Sequence, residues 1–270
     1  MIYFVATPIG NLKDITFRAI EVLNSVDVIA CEDTRNSLKL LNFYKISKKL
    51  ISYHKFNEKN SAEGIINLAK QNKDVAVISD AGMPLISDPG HILVNKLIEN
   101  NINYTVIPGA SACLSGLILS GFDSSFFTFI GFLDENNKIR KNQIEKIKDI
   151  KSTLIFYVSP YNLEKDVMFL HENLGDRKAC LVNEITKIHE KKIYFNLSKL
   201  PEIKIKGEYV LIVEGRAKED KIFERTPKQE LDELLRKGIK KNEAIKIVAK
   251  ARHIPKREIY KLTIDEIENN

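Results

Sequence analysis

The chain opens on a repeated pattern in which short apolar runs give way to polar, turn-forming loops. The runs at IYFV after Met1, at Asp27 to Cys31 (DVIAC), at Leu50 to Tyr53, at Val75 to Ile78 and at Tyr104 to Ile107 are four or five residues long and rich in β-branched side chains. Runs of that kind, without polar alternation, are those of strands buried on both faces of a parallel sheet. Between them lie segments of helical character, one capped by Asp14 or Thr16 and running to about Ser25, one reaching about Gln71, and one from about Gly90 to Asn100. Strands that alternate with helices predict a parallel, doubly wound α/β sheet with right-handed crossovers over residues 1–120.

A composition typical of a hinge, SGFDSS, spans Ser120 to Ser125. After it come strand candidates at Phe126 to Phe132, Thr153 to Val158, Ala179 to Ile185, Lys192 to Phe195 and Glu208 to Val213, with helices near Lys138 to Ile150 and Tyr161 to Asn173. This half, residues 126–218, reads as a second α/β domain with a mixed sheet. From Thr226 the pattern turns helical. Pro227 suits a first turn, Leu231, Leu234 and Leu235 share a face, and Gly238 ends the segment; a second helix from about Lys241 carries Ala244, Ile245, Val248 and Ala249. A third opens at Pro255 with Ile259, Tyr260 and Ile264 available for packing, so residues 226–270 predict a small helix-turn-helix unit.

The loops that follow the five strands of the first half are TPIGN, EDTR, HKFNE, SDAGMPLISDPG and PGASA. In an open α/β sheet such loops share the carboxyl edge, where ligands bind. The longest, from Ser79, holds Gly82, suited to positive φ or close backbone approach, and Pro84, which makes Met83 extended, before the break at Pro89 and Gly90. Composition narrows the chemistry. No two glycines lie two positions apart, so GxGxxG is missing, as is GxxxxGK[ST]. The three cysteines and five histidines show no metal-ligand spacing, and no metal is expected. No apolar run approaches ~18 residues and no charged leader precedes the first strand, which predicts a cytoplasmic protein with no membrane span.

The formal net charge is +6, and residues 225–264 contribute +7 of it, from 12 Lys and Arg against 5 Asp and Glu. The positive excess therefore belongs to the tail and favours an anionic partner such as nucleic acid. Lys256, Arg257 and Lys261 on the last helix are candidate phosphate contacts.

Taken together, VATPIGNLKDIT, CEDTR, YHKFNE, SDAGMPLISDPG, VIPGASA and KGEYVLIVEG resemble the tetrapyrrole-methylase-like superfamily of S-adenosylmethionine enzymes. Where tetrapyrrole relatives commonly carry GGDP this chain has DAGMP, a departure that favours the branch acting on RNA. The resemblance implies a cofactor in the cleft between two α/β domains and 2′-O-methylation of a ribose, that of a cytidine, in 16S rRNA of the small ribosomal subunit, by a homodimer. Carried over residue by residue, it implies cofactor contacts from Pro8, Asp80, Ala81, Gly82, Ile86, Ser87, Ser111, Ala112, Tyr157, Glu208 and Tyr209. Asp80 would attract the amino group of the methionine moiety. The alternatives are a C-methyltransferase of cobalamin or siroheme synthesis, which needs no basic tail, and a non-catalytic RNA-binding assembly factor.

Methyl transfer to a ribose hydroxyl needs alignment and a proton acceptor. Candidates at the sheet edge are Glu32, Asp33, His54 and Glu58. Each has a structural alternative: Asp33 as a helix cap, Glu32 as a partner of Arg35, His54 as a loop hydrogen bond. Arg35 and Lys55 are candidate phosphate or ribose contacts, and Phe56 a candidate stacking platform for an unstacked base.

Overall fold

A computed structural model describes residues 1–54, 58–88, 90–203, 207–216, 225–252 and 254–262. Lys55, Phe56 and Ile264 lie outside these. The chain divides into two compact units, Met1–Ala217 and Lys218–Asn270.

The first sheet contains β1 (Ile2–Val5), β2 (Val28–Cys31), β3 (Lys49–Ser52), β4 (Val75–Ile78) and β5 (Tyr104–Ile107). All its pairings are parallel, in the order β3-β2-β4-β1-β5. Helices α1 (Phe17–Ser25), α2 (Thr34–Phe43), α3 (Glu58–Lys70) and α4 (His91–Glu99) cover it on both sides. Alternate residues of one strand feed opposite cores. Val28, Ala30, Val75 and Val77 pack with Ala62, Ile65, Leu93 and Leu97 of α3 and α4. Ile29, Cys31, Ala76 and Ile78 pack instead with Ala19, Leu23 and Leu41 of α1 and α2. Burial on both faces is why the strands read as unbroken apolar runs. The cap of α1 is Thr16, whose hydroxyl accepts from the Ala19 N–H at 3.1 Å, and not Asp14.

After β5 comes α5 (Ala112–Ser120), which the sequence pattern did not mark as a helix. It lies on the second sheet rather than the first. That sheet, in the order β6-β7-β10-β8-β9, is built from β6 (Phe127–Phe132), β7 (Thr153–Val158), β8 (Lys178–Asn183), β9 (Lys191–Asn196) and β10 (Tyr209–Val213). It is mixed: β6 and β7 are parallel, and the other pairings antiparallel. Helices α6 (Asn137–Ile147) and α7 (Leu163–Leu174) cover one face, where Ile144, Val167 and Leu170 meet Leu154, Phe156, Leu181 and Leu211. On the other face Cys113 and Leu117 of α5 meet Ile155, Cys180, Val182, Val210 and Ile212. β8 ends at Asn183, before the expected Ile185, because Glu184 and Thr186 take positive φ of 52° and 65° and turn the chain out of the sheet.

The second unit holds α8 (Pro227–Arg236), α9 (Lys241–Arg252) and α10 (Lys256–Lys261). A capping box on Thr226 and Gln229 starts α8, and Gly238, at φ +81°, follows its end. Leu231, Ala244, Ile245, Val248, Ala249 and Ile259 form its core.

The contact between α5 and β10 is close. A Cβ built on Gly116 would lie 2.8 Å from Val210 Cγ1 and 3.1 Å from its Cβ, whereas one on Gly64, exposed on α3, meets nothing within 4 Å. Gly116→Ala is therefore expected to destabilise the chain by about 1–3 kcal/mol through overpacking. Gly64→Ala is expected to stabilise it by about 0.5–1 kcal/mol through helix propensity. Denaturant unfolding of both variants measures the pair; equal shifts of one sign would contradict the packing account.

Candidate active site

The site starts where β1 and β4 run out. The Thr7 N–H donates to Gly82 O at 2.9 Å, the Gly82 N–H returns a bond to Thr7 O at 3.0 Å, and the Thr7 hydroxyl donates to Ser79 O at 3.1 Å. These bonds zip the first loop to the long loop after β4. Gly82 holds φ at +80°, with Ile9 3.2 Å from where its Cβ would stand. Leu85 and Ser87 also take positive φ, 72° and 68°, which carries the loop across to the second sheet. There Gly131, at the β6 bulge, leaves room for the Ser87 hydroxyl, 2.9 Å from where a Cβ would sit.

A cavity of about 520 Å³ opens between these pieces. The first half contributes Ile9, Glu32, Asp80, Ala81, Gly82, Met83, Ile86, Ser87 and Asp88. Ser111 and Ala112 come from the start of α5, where the Ser111 hydroxyl caps the Leu114 N–H. The second sheet supplies Phe132, Tyr157 and Val158, the turn Glu184, Ile185 and Lys187, and the run Gly207 to Val210. Tyr157 meets Phe129 and Phe132 edge-on, at ring separations of 5.0 and 5.5 Å, which makes one wall aromatic.

The turn after β8 clasps the first loop. The Thr186 hydroxyl donates to Asp14 Oδ2 at 2.5 Å, and the Lys187 stem crosses Gly10, whose missing Cβ would lie 2.8 Å from Lys187 Cε. The Lys187 ammonium pairs with Glu184 at 2.9 Å, and that carboxylate rests against Gly207, where a Cβ would be 2.3 Å away. Gly207 thus admits an acidic side chain into the cavity wall.

The cavity is acidic. Among the described residues, Glu32, Asp80, Asp88, Glu184 and Glu208 line it against a single lysine, Lys187. Burial raises the Glu32 carboxyl, the Asp80 charge adds to that, and His54 pulls it back. Asp88 is pushed up to about 6, by burial first and then by the charges of Glu32, Asp80 and Glu208, against a hydrogen bond with Ser79. Burial likewise raises the Tyr157 hydroxyl to about 12.

Of the side chains nominated from sequence, Asp80, Ala81, Gly82, Ile86, Ser87, Ser111, Ala112, Tyr157, Glu208 and Tyr209 all line this cavity, whereas Pro8 is buried beside it and Ile9 takes the lining position. Among the four proton-acceptor candidates only Glu32 is a lining residue. Asp33 caps α2 and grips Arg35 through both oxygens, at 2.8 and 3.2 Å on one and 2.8 Å on the other. The Arg35 guanidinium holds the Asp33 carboxyl down at about 2, so it is a weak proton acceptor. The partner of Arg35 is thus Asp33 and not Glu32.

Glu58 accepts from the N–H groups of Gly90 and Ile92 at 2.8 and 3.4 Å and from the Tyr53 hydroxyl at 3.3 Å, which ties α3 to the start of α4. His54, half-buried, acts on Glu32 through its charge. Lys55 and Phe56 fall outside the described residues. Asp88, Glu184 and Lys187 were not singled out from sequence. Asp88 stood in the DPG break, read there as backbone punctuation, and Lys187 carries no motif.

The family model for tetrapyrrole (corrin/porphyrin) methylases matches residues 1–201. Ribosomal RNA small subunit methyltransferase I of Bacillus subtilis (strain 168) is 41% identical over 270 residues, covering 96% of this chain and 92% of that one. Among solved structures, uroporphyrin-III-C-methyltransferase from Thermus thermophilus superposes with a TM-score of 0.58 at 17% identity, over 79% of this chain and 93% of that one. Diphthine synthase superposes at 0.63 with 15% identity, over 80% and 90%. At those identities the likeness is one of fold. With the first sheet, the loop after β4 and strands β6 to β9 inside the residues that the family model matches, the chain belongs to the tetrapyrrole methylases, a family of S-adenosylmethionine-dependent methyltransferases.

Proposed function

We propose that this chain transfers the methyl group of S-adenosylmethionine to RNA of the small ribosomal subunit, at the 2′-oxygen of a ribose, that of a cytidine, and acts in the cytoplasm as a homodimer. The observation that carries the RNA assignment is the reach of the similarity. It continues beyond residue 201, where the family match ends, and takes in the basic tail, in relatives named as ribosomal RNA methyltransferases. In that tail Lys256, Arg257 and Lys261 are exposed on α10, and Lys246, Lys250 and Lys256 surround a shallow cleft. Such a face suits phosphates, which supply affinity without reading sequence. Among the described residues no helix is long and apolar enough to cross a membrane.

The cavity between the sheets fits the cofactor. Gly82 and Gly207 let backbone approach where a side chain would intrude, Tyr157 and Phe132 offer an aromatic wall, and the carboxylates answer a ligand that carries positive charge. Asp80 is preset for this, because the Asp33 N–H and the Asn36 amide donate to its two oxygens at 3.2 and 3.0 Å. Ser111, Ala112 and the Ala81–Gly82 backbone line the cavity, and we assign them the orientation of the bound molecule. When bound, it supplies an electrophilic methyl on a sulfonium. What the protein adds is alignment, exclusion of water and a place for the proton. The Arg35 side chain is 87% exposed beside the cavity loops, and we assign it a contact to the RNA backbone.

The first test is transfer of labelled methyl from S-adenosylmethionine to purified small ribosomal subunits that lack the modification, followed by digestion to nucleosides. A single 2′-O-methylated cytidine is the expected product; no incorporation despite tight cofactor binding would move the assignment to a tetrapyrrole substrate. Removing residues 226–270 should weaken RNA binding ~10-fold or more, and reduce its salt dependence, while cofactor affinity changes little. Equal losses of RNA and cofactor binding would contradict the tail's role.

A further inference from the structure

Asp88 occupies a position that the functional reading has not used. It lies at the end of the loop that crosses from the first sheet to the second, and it faces charged groups from both. Glu32 follows β2, Asp80 belongs to the loop after β4, and Glu208 precedes β10. Ser79 is its hydrogen-bond partner, and the Tyr157 hydroxyl on β7 senses its charge. Among the described residues, the one lysine lining the same cavity, Lys187, is held by Glu184. Among the described residues of the cavity, no second lysine stands against the four clustered carboxylates.

A cluster of this kind is stabilised by a cation in the cavity, and a sulfonium is one. Asp88 lines that cavity and is pushed up to about 6 by burial and by the charges around it, so it is poised to take a proton near neutral pH. An opposite charge within ~4–6 Å lowers a carboxylate by ~1–3 units, and loss of that charge gives the shift back. Methyl transfer removes one positive charge from the cavity and releases one proton.

We propose that Asp88 is the proton acceptor of the reaction, a carboxylate kept ionised by the cationic cofactor and made basic by the step that neutralises it. In that step the hydroxyl O–H bond breaks and an O–C bond forms, the C–S electron pair stays on sulfur, and the proton passes to a carboxylate oxygen of Asp88 and then to water. Glu32 supports this as a neighbour, because its charge raises Asp88 while His54 offsets its own basicity. The hydroxyl rests on the ribose reading above. The coupling of Asp88 to cofactor and product charge does not.

The test is calorimetric titration of the full chain with S-adenosylmethionine and with S-adenosylhomocysteine, in buffers of different ionisation heat, from ~pH 5 to ~pH 7.5. Near pH 6 the cofactor should release protons on binding and the product should release few or none. The preference for cofactor over product should then grow about tenfold across the range. Asp88→Asn should abolish the proton exchange and flatten the preference, and lower turnover ~10²-fold. Glu32→Gln should keep the exchange and move its midpoint to lower pH.

Binding without proton exchange in the natural chain, or exchange that persists in Asp88→Asn, would overturn the proposal. If that variant does not fold, the natural chain and the Glu32→Gln shift decide it. Proton exchange that follows Asp88 together with no ribose methylation would leave the charge coupling standing and remove the hydroxyl as its proton source.

Discussion

The site depends on one contact, the seating of α5 on β10 through Gly116. Because that position has no side chain, the helix that leaves the first sheet at β5 lies directly on Val210 and packs with Ile212 of the second. Interiors packed at this density transmit small shifts instead of absorbing them. The start of α5, with Ser111 and Ala112, is then brought to the cavity, facing the loop after β4 on one side and Tyr157 on the other. The cleft is thus a consequence of which sheet α5 chooses. The Thr7–Gly82 bridge and the Thr186–Asp14 bond close the same arrangement from its two ends.

Placing several carboxylates in that cleft opposes folding. Asp88 is ordinarily near 3.8 and sits at about 6 in the folded chain, so the native state holds its proton more tightly than the unfolded one does. The penalty is absent below pH ~3.8 and develops as pH rises through the window to about 6. Asp33 has the opposite sign: held at about 2 by Arg35, it favours the folded state above its ordinary value, an effect reduced by its exposure to solvent. The two carboxylates stand on loops of the same sheet edge, one arranged for stability and the other at its expense. A destabilising charge facing a cavity points to the ligand that balances it.

Much of the first sheet was legible because burial on both faces leaves an unbroken apolar run, as in Val75 to Ile78. The loop after β4 stood out by its Gly, Pro and Asp content for the same reason that it matters, since its backbone takes conformations few residues adopt. Helix α5 was harder to see. CLSGLILS is apolar on every side, with Ile118 76% exposed, so no 3.6-residue period marks the face that packs. The acidic residues show the limit of reading roles one loop at a time. Asp33 and Glu58 have the residue type of a base, yet their oxygens cap helices, while Asp88 gains its basicity from burial first and then from Glu32, Asp80 and Glu208, which are distant in sequence or on another sheet. The turn from Glu184 to Lys187 left no trace in the pattern, because its place is set by Gly10 and Gly207 opposite it.

The central claim is that the cleft between the sheets, with its acidic lining, holds the methyl donor. The most direct measurement is a crystal structure of the full chain with bound S-adenosylhomocysteine. The account predicts density in the cavity bounded by the Asp80–Gly82 loop, Ser111 and Tyr157, with Asp88 facing the sulfur end. Density elsewhere on the chain, or in the cavity with Asp88 turned away from the sulfur, would contradict it.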